Sequence, residues 1–127
     1  MKNLNKLYWL KQEVKQIENQ IRELTILSAF EMSGMPSGNS VSSPVEQFYN
    51  RLDKLRTKLA KAKDKVVKET ERMETYIESV DDAEIRVLAR MRYLDCMKYE
   101  DIGEECHMDR RTVSRKLENY FGKETSK

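Results

Sequence analysis

The chain has 127 residues, 36% of them charged and 39% hydrophobic, against roughly 25% charged in an ordinary globular chain. With a mean hydropathy of −0.80, four glycines and two prolines, it reads as a strongly helical, soluble protein. No apolar run approaches the ~18–20 residues of a membrane span. The opening Met1-Lys2-Asn3-Leu4-Asn5 lacks the apolar core and cleavage site of a secretory signal, so a cytoplasmic protein is expected. A net charge of +2 says nothing by itself about nucleic acid; the distribution of charge is more informative.

Residues 2–31 contain neither Gly nor Pro. Their apolar residues recur at Leu7, Leu10, Val14, Ile17, Ile21, Leu24 and Leu27, and from Leu7 to Leu24 the steps alternate between three and four, an a/d seam. The stretch 32–43, with Gly34, Pro36 and Gly38, predicts a loop. Ser43-Pro44-Val45-Glu46 then opens a second helix, with Ser at the N-cap, Pro at the first helical position and Glu at the third.

From there Val45, Phe48, Leu52, Leu55, Leu59, Ala62, Val66, Glu69, Met73, Tyr76 and Val80 continue the three–four alternation, and Glu69 alone breaks the apolar seam. A helix over about 44–79 would be roughly 50 Å long. Neither helix can bury its stripe alone. Residues 1–80 are therefore expected to form a coiled-coil helical hairpin, with helices pairing between two chains as the alternative or the complement. Trp9 lies off the seam and suits a hairpin edge or an oligomer contact.

Charge on the second helix is segregated. Residues 51–68 carry eight Lys or Arg against two Asp, whereas 69–84 carry seven acids against Arg72. The basic block suits the solvated face of a coiled coil, where Lys is the ordinary outer residue, or a surface laid along a DNA backbone.

Around residue 80 the heptad stops. Asp81 or Asp82 caps a short helix carrying Ile85, Leu88, Ala89 and Tyr93, with Met91 and the stem of Arg92 also facing inward. A second helix is predicted over about Tyr99–Cys106 and a third over about Arg110–Phe121, with Asp109 as its N-cap. Two short helices separated by His107-Met108-Asp109 fit a helix-turn-helix, with Gly103 as the small residue at the crossing. Ile102, Cys106, Met108, Val113 and Leu117 would make the shared core.

The last helix exposes Arg110, Arg111, Thr112, Ser114, Arg115, Lys116 and Asn119, donors suited to phosphates and base edges, with Glu118 the sole acid. The preceding helix is acidic, so one face of a near-neutral domain is positive, as a polyanion needs. Cys96 and Cys106 match no zinc-ligand spacing and read as reduced, small core side chains. The lone His107 reads as a turn residue. No metal, cofactor or enzymatic constellation is expected.

The segments Asp81–Leu94, Lys98–Glu105 and Asp109–Leu117 carry an "R-V-L-A-R-M-R-Y" helix, a "Y-E-D-I-G-E" helix and an "R-R-T-V-S-R-K-L" helix. Together they resemble region 4 of the bacterial sigma-70 family. With its N-terminal coiled coil, the whole layout looks like small phage and prophage regulators of Gram-positive bacteria related to the RinA and ArpU late-gene activators. The resemblance implies that Thr112, Ser114 and Arg115 face DNA, that Arg110 and Arg111 open the recognition helix beside the backbone, and that Lys116 and Asn119 flank it. It also implies that Tyr99 and Glu100 start the supporting helix near a phosphate.

The family usually has Ala at the position of Gly103 and Gly at that of His107, which suggests a differently angled turn. Nothing corresponds to the residues that read the −10 element.

The expected protein is thus all-α: a helical hairpin over 1–80, a three-helix DNA-binding domain over 81–122 and a tail over 123–127. Its expected partner is double-stranded DNA, contacted as a transcription regulator, with RNA polymerase contact or homodimerisation through the coiled coil. Two alternatives stay open: a small-terminase-like DNA-packaging module, and an RNA-polymerase-binding protein that leaves DNA alone.

Overall fold

The structure, a computed structural model, describes residues 4–34 and 44–122. The Ser43 cap, most of the expected loop and the tail 123–127 lie outside the described residues. Every regular element described is helical: α1 (Lys6–Gly34), α2 (Pro44–Glu78), α3 (Ala83–Ala89, widened over Arg90–Leu94), α4 (Tyr99–Cys106) and α5 (Arg110–Phe121). None is long and apolar enough to cross a membrane. α1 continues to Gly34, past the expected start of the loop at 32. Its closing glycine is a residue that helix ends tolerate well.

The chain divides into two compact units, one of Met1–Leu10 with Val66–Lys127 and one of Lys11–Lys65. The division expected at residue 80 does not coincide with this: the end of α2 and the first turn of α1 belong with α3–α5. The reason is where apolar surface is covered. Met73, Ile77 and Val80 at the end of α2 and Leu4 join Ile85, Leu88, Ala89, Tyr93, Ile102, Val113, Leu117 and Phe121 in one buried cluster. Cys106 and Met108 pack against it half-buried.

Ile77, absent from the expected seam, is fully buried, while Tyr76 is only half-buried. An α-helix turns in 3.6 residues, so a strict heptad drifts by about 20° per repeat. After several repeats the inward position moves one residue on.

At the far end of α1 the strict alternation steps four residues from Leu24 to Ser28, which is buried, while Leu27, three residues on, is 61% exposed. Elsewhere in the Lys11–Lys65 unit the seam is only partly covered. Val14, Ile17, Ile21 and Leu24 on α1, and Phe48, Leu55, Leu59 and Ala62 on α2, are half-buried. Among the described residues there, Leu52 is the one apolar seam side chain that is buried. Glu18 and Lys63 approach to 4.0 Å across this unit.

Glu69 sits where the seam needs an apolar residue, and it is 5% exposed. A buried carboxylate is tolerable only when paired. Arg72 donates to both its oxygens, and Lys6 lies 4.0 Å away. The hydrogen bond to Glu69, aided by its charge, holds the Arg72 guanidinium above its ordinary pKa, although burial works the other way.

α2 stops at Glu78, and Ser79 and Val80 donate back to the carbonyls of Tyr76 and Ile77. Arg86 donates to the Val80 carbonyl and ties the connection down. Of the two expected caps for α3, Asp82 does the work: its carboxylate accepts from the Glu84 amide at 2.9 Å. Trp9, 57% exposed, meets Tyr8 edge-to-face.

Candidate nucleic-acid interface

α4 ends because His107 takes a left-handed conformation, φ 56° and ψ 48°. A non-glycine residue pays for that geometry sterically, yet it turns the chain so that the Met108 amide reaches back to the Gly103 carbonyl at 2.8 Å. That is the 6→1 bond of a Schellman ending. It brings the Met108 carbonyl so close to Gly103 that any Cβ there would collide with it. Gly103 is therefore required by the turn backbone itself. α5 then starts from Asp109, whose carbonyl accepts from Thr112 and Val113. Its carboxylate makes no cap hydrogen bond.

Val113, Leu117 and Phe121 bury the inner stripe of α5, which orients everything else on that helix. Arg111 and Arg115, one turn apart, are exposed and have no carboxylate within ion-pair distance among the described residues. Arg110 is exposed and 3.8 Å from Glu100 at the start of α4. Cations in the first turn oppose a helix macrodipole. α4 obeys the rule, with Glu100 and Asp101 in its first turn, whereas α5 breaks it with Arg110 and Arg111.

These arginines border a groove of about 520 Å³. α5 lines it with Arg110, Arg111, Ser114, Arg115 and Glu118, and Lys98, Tyr99 and Glu100 line the other wall. Arg92 completes it. Five cations face two carboxylates, so the groove is electropositive. It suits an extended anion better than a small neutral ligand.

Of the expected site residues, Tyr99, Arg110, Arg111, Ser114 and Arg115 come together at this groove. Thr112, Lys116 and Asn119 do not line it. Thr112 and Lys116 are half-buried and Asn119 is exposed, on the neighbouring stripe of α5. Lys116 is committed elsewhere, 2.8 Å from Glu84 at the start of α3, where it ties α5 to α3.

Two groove residues, Arg92 and Lys98, are not among those that the sequence points to. The sequence directs the stem of Arg92 into the core. The last turn of α3 widens instead, with Asp95 donating to Arg90 and Met97 to Met91, as in a π-bulge. Arg92 is thereby placed 4.0 Å over the Tyr99 ring, and it donates to the Met97 carbonyl at 2.9 Å. Only the pairing of Arg92 with Tyr99 seven residues on could have signalled this, and the pattern is too common to be diagnostic.

Cys96 lies in the following turn with φ 57°. It is half-buried and outside any disulfide, like Cys106, and of the two only Cys106 packs against the core as expected. Among the described residues no cluster of His, Cys, Asp or Glu is suited to a metal. Comparison with protein-family models, curated proteins and solved structures finds no match to this chain.

Proposed function

We propose that the protein is a sequence-specific DNA-binding transcription regulator of phage type. In this reading α4, the turn His107–Asp109 and α5 form a helix-turn-helix, and α5 enters the major groove. The observation that carries it is the electropositive groove at the start of α5, where Arg111 and Arg115 project without acidic partners among the described residues. Uncompensated arginines on a rigid helix one turn apart are the geometry that reads guanine edges, and each good bidentate pair contributes about 1–3 kcal/mol of discrimination. Arg110, Lys98 and the stacked Arg92 would hold the flanking phosphates. Thr112 and Asn119 would lie at the edge of the contact, with Lys116 supporting the helix.

One such helix covers few base pairs, so tight binding calls for two half-sites or a second protein. α1 and α2 supply a framework for that. We read them as an antiparallel hairpin, supported within Lys11–Lys65 by the Glu18–Lys63 approach and by the burial of Ser28 and Leu52 further along.

The test is recovery of genomic fragments by the purified chain at physiological salt, beside an R111A/R115A variant. Recovery of a few discrete sites by the wild type, abolished in the variant, is expected. Discrete recovery retained by the variant would remove α5 from the reading. Failure of the wild type to recover any site would move the function to a protein contact, with RNA polymerase the first to try.

A further inference from the structure

α2 carries a second cationic surface, distinct from the groove. Arg51, Lys54, Lys58, Lys61 and Lys65 follow one another at steps of three, four, three and four. That spacing places all five on one flank of the helix. All five are exposed, and none has an ion-pair partner among the described residues. Lys68 continues the same phase on the same helix. From Arg51 to Lys65 the ridge is about 21 Å long at 1.5 Å per residue, so a positive charge stands roughly every 5 Å.

An ordinary solvated face is built differently. The other flank of α2 mixes Arg56 and Lys63 with Asp53 and Asp64, and Lys63 approaches Glu18. Mixed signs keep a helix soluble without strain, whereas like charges three and four residues apart work against the helix. The ridge accepts that repulsion at every step, which an anion of matching length would relieve.

We propose that this flank of α2 is a sequence-independent contact for the phosphate backbone of duplex DNA. The polar residues beside it, Gln47, Asn50 and Thr57, offer no apolar side chain to enter a bilayer. A second copy of the chain is a poorer occupant, because Asp53 and Asp64 are the only acids on α2 over the length of the ridge. Duplex DNA, with about one charge per 1.7 Å of axis, can neutralise the whole row. The inference rests on the DNA-binding reading only for the choice of polyanion. It needs no operator and no contact by α5.

The test compares two doubly substituted full-length chains of equal net charge, K58Q/K61Q on the ridge and R56Q/K63Q on the other flank. Binding to a short random-sequence duplex is followed by fluorescence anisotropy over a potassium chloride series, with circular dichroism checking helicity. Each phosphate that a cation neutralises adds about 0.9 to the slope of log affinity against log salt, so the ridge variant should lower that slope by about 1.8. R56Q/K63Q should leave the slope unchanged, and K58R/K61R should keep it at the wild-type value.

R111A/R115A should keep binding random duplex even where it no longer recovers specific sites. That outcome separates a failure of the ridge from a failure of the α5 reading. Equal slopes for the two charge-matched variants would overturn the proposal. So would wild-type binding to phosphatidylserine vesicles or polyglutamate as tight as binding to duplex.

Discussion

The two compact units use the same residue types to different ends. In the unit built from Met1–Leu10 and Val66–Lys127, Met73, Ile77, Leu88, Ile102, Val113 and Leu117 are all sealed from solvent. They come from four different helices, so each is covered from several directions. In Lys11–Lys65, Val14, Ile17, Ile21 and Leu24 stay half-buried. Burial depends on how many elements converge, and hydrophobic identity alone does not secure it. The closed core can hold a turn and a helix in fixed register, which a site on α5 requires. The open seam leaves Ile26, Leu27 and Tyr49 exposed at its end.

Truncation should expose this difference most sharply. Leu117→Ala is expected to cost about 2–5 kcal/mol, because it leaves a cavity walled by several helices. Leu24→Ala should cost about 1 kcal/mol, since a half-buried side chain gives up less transfer energy and solvent fills the space. Urea unfolding of both variants checks the contrast, and equal losses would mean that the seam is as closed as the core.

A subtler break concerns the turn inside the closed unit. Gly103→Ala should destabilise by about 1–3 kcal/mol through overpacking against the Met108 carbonyl. A shift in the midpoint of thermal unfolding, with retained helical circular dichroism, would report it. A neutral result would mean that the turn relaxes freely.

The smallest effect has the opposite sign. His107 occupies a left-handed conformation that suits glycine. His107→Gly should therefore stabilise by about 0.5–1 kcal/mol, read in the same unfolding assay. A loss of stability would show that the imidazole makes a compensating contact.

The pair Gly103 and His107 also explains where sequence reasoning succeeds and where it fails. Gly103 stands out in the sequence as the small residue at a helix crossing, and a small residue is indeed demanded there. The demand comes from the Met108 carbonyl rather than from a helix crossing. Arg111 and Arg115 are legible because the buried stripe Val113, Leu117 and Phe121 has helical spacing and leaves them on the outer face. Lys116, on the same helix with the same charge, is not distinguishable from them by pattern. Its ion pair with Glu84 joins residues far apart in the chain, and no local pattern encodes it.

What the sequence by itself determined are the properties that repeat along a single helix. The bounds of α4 and α5 follow from apolar periodicity and the turn His107–Asp109 between them, and an all-helical chain follows from composition and the heptad spacing. The charged flanks of α2 follow as well, once it is known to be a continuous helix. Tertiary structure decided the rest: that Ile77 faces inward, that Met73 and Val80 belong with α3–α5, and that Arg92 swings out over Tyr99. These depend on accumulated helical drift, on which surfaces find cover and on one widened turn. Each is settled by packing between residues distant in the chain, where local propensity carries no information.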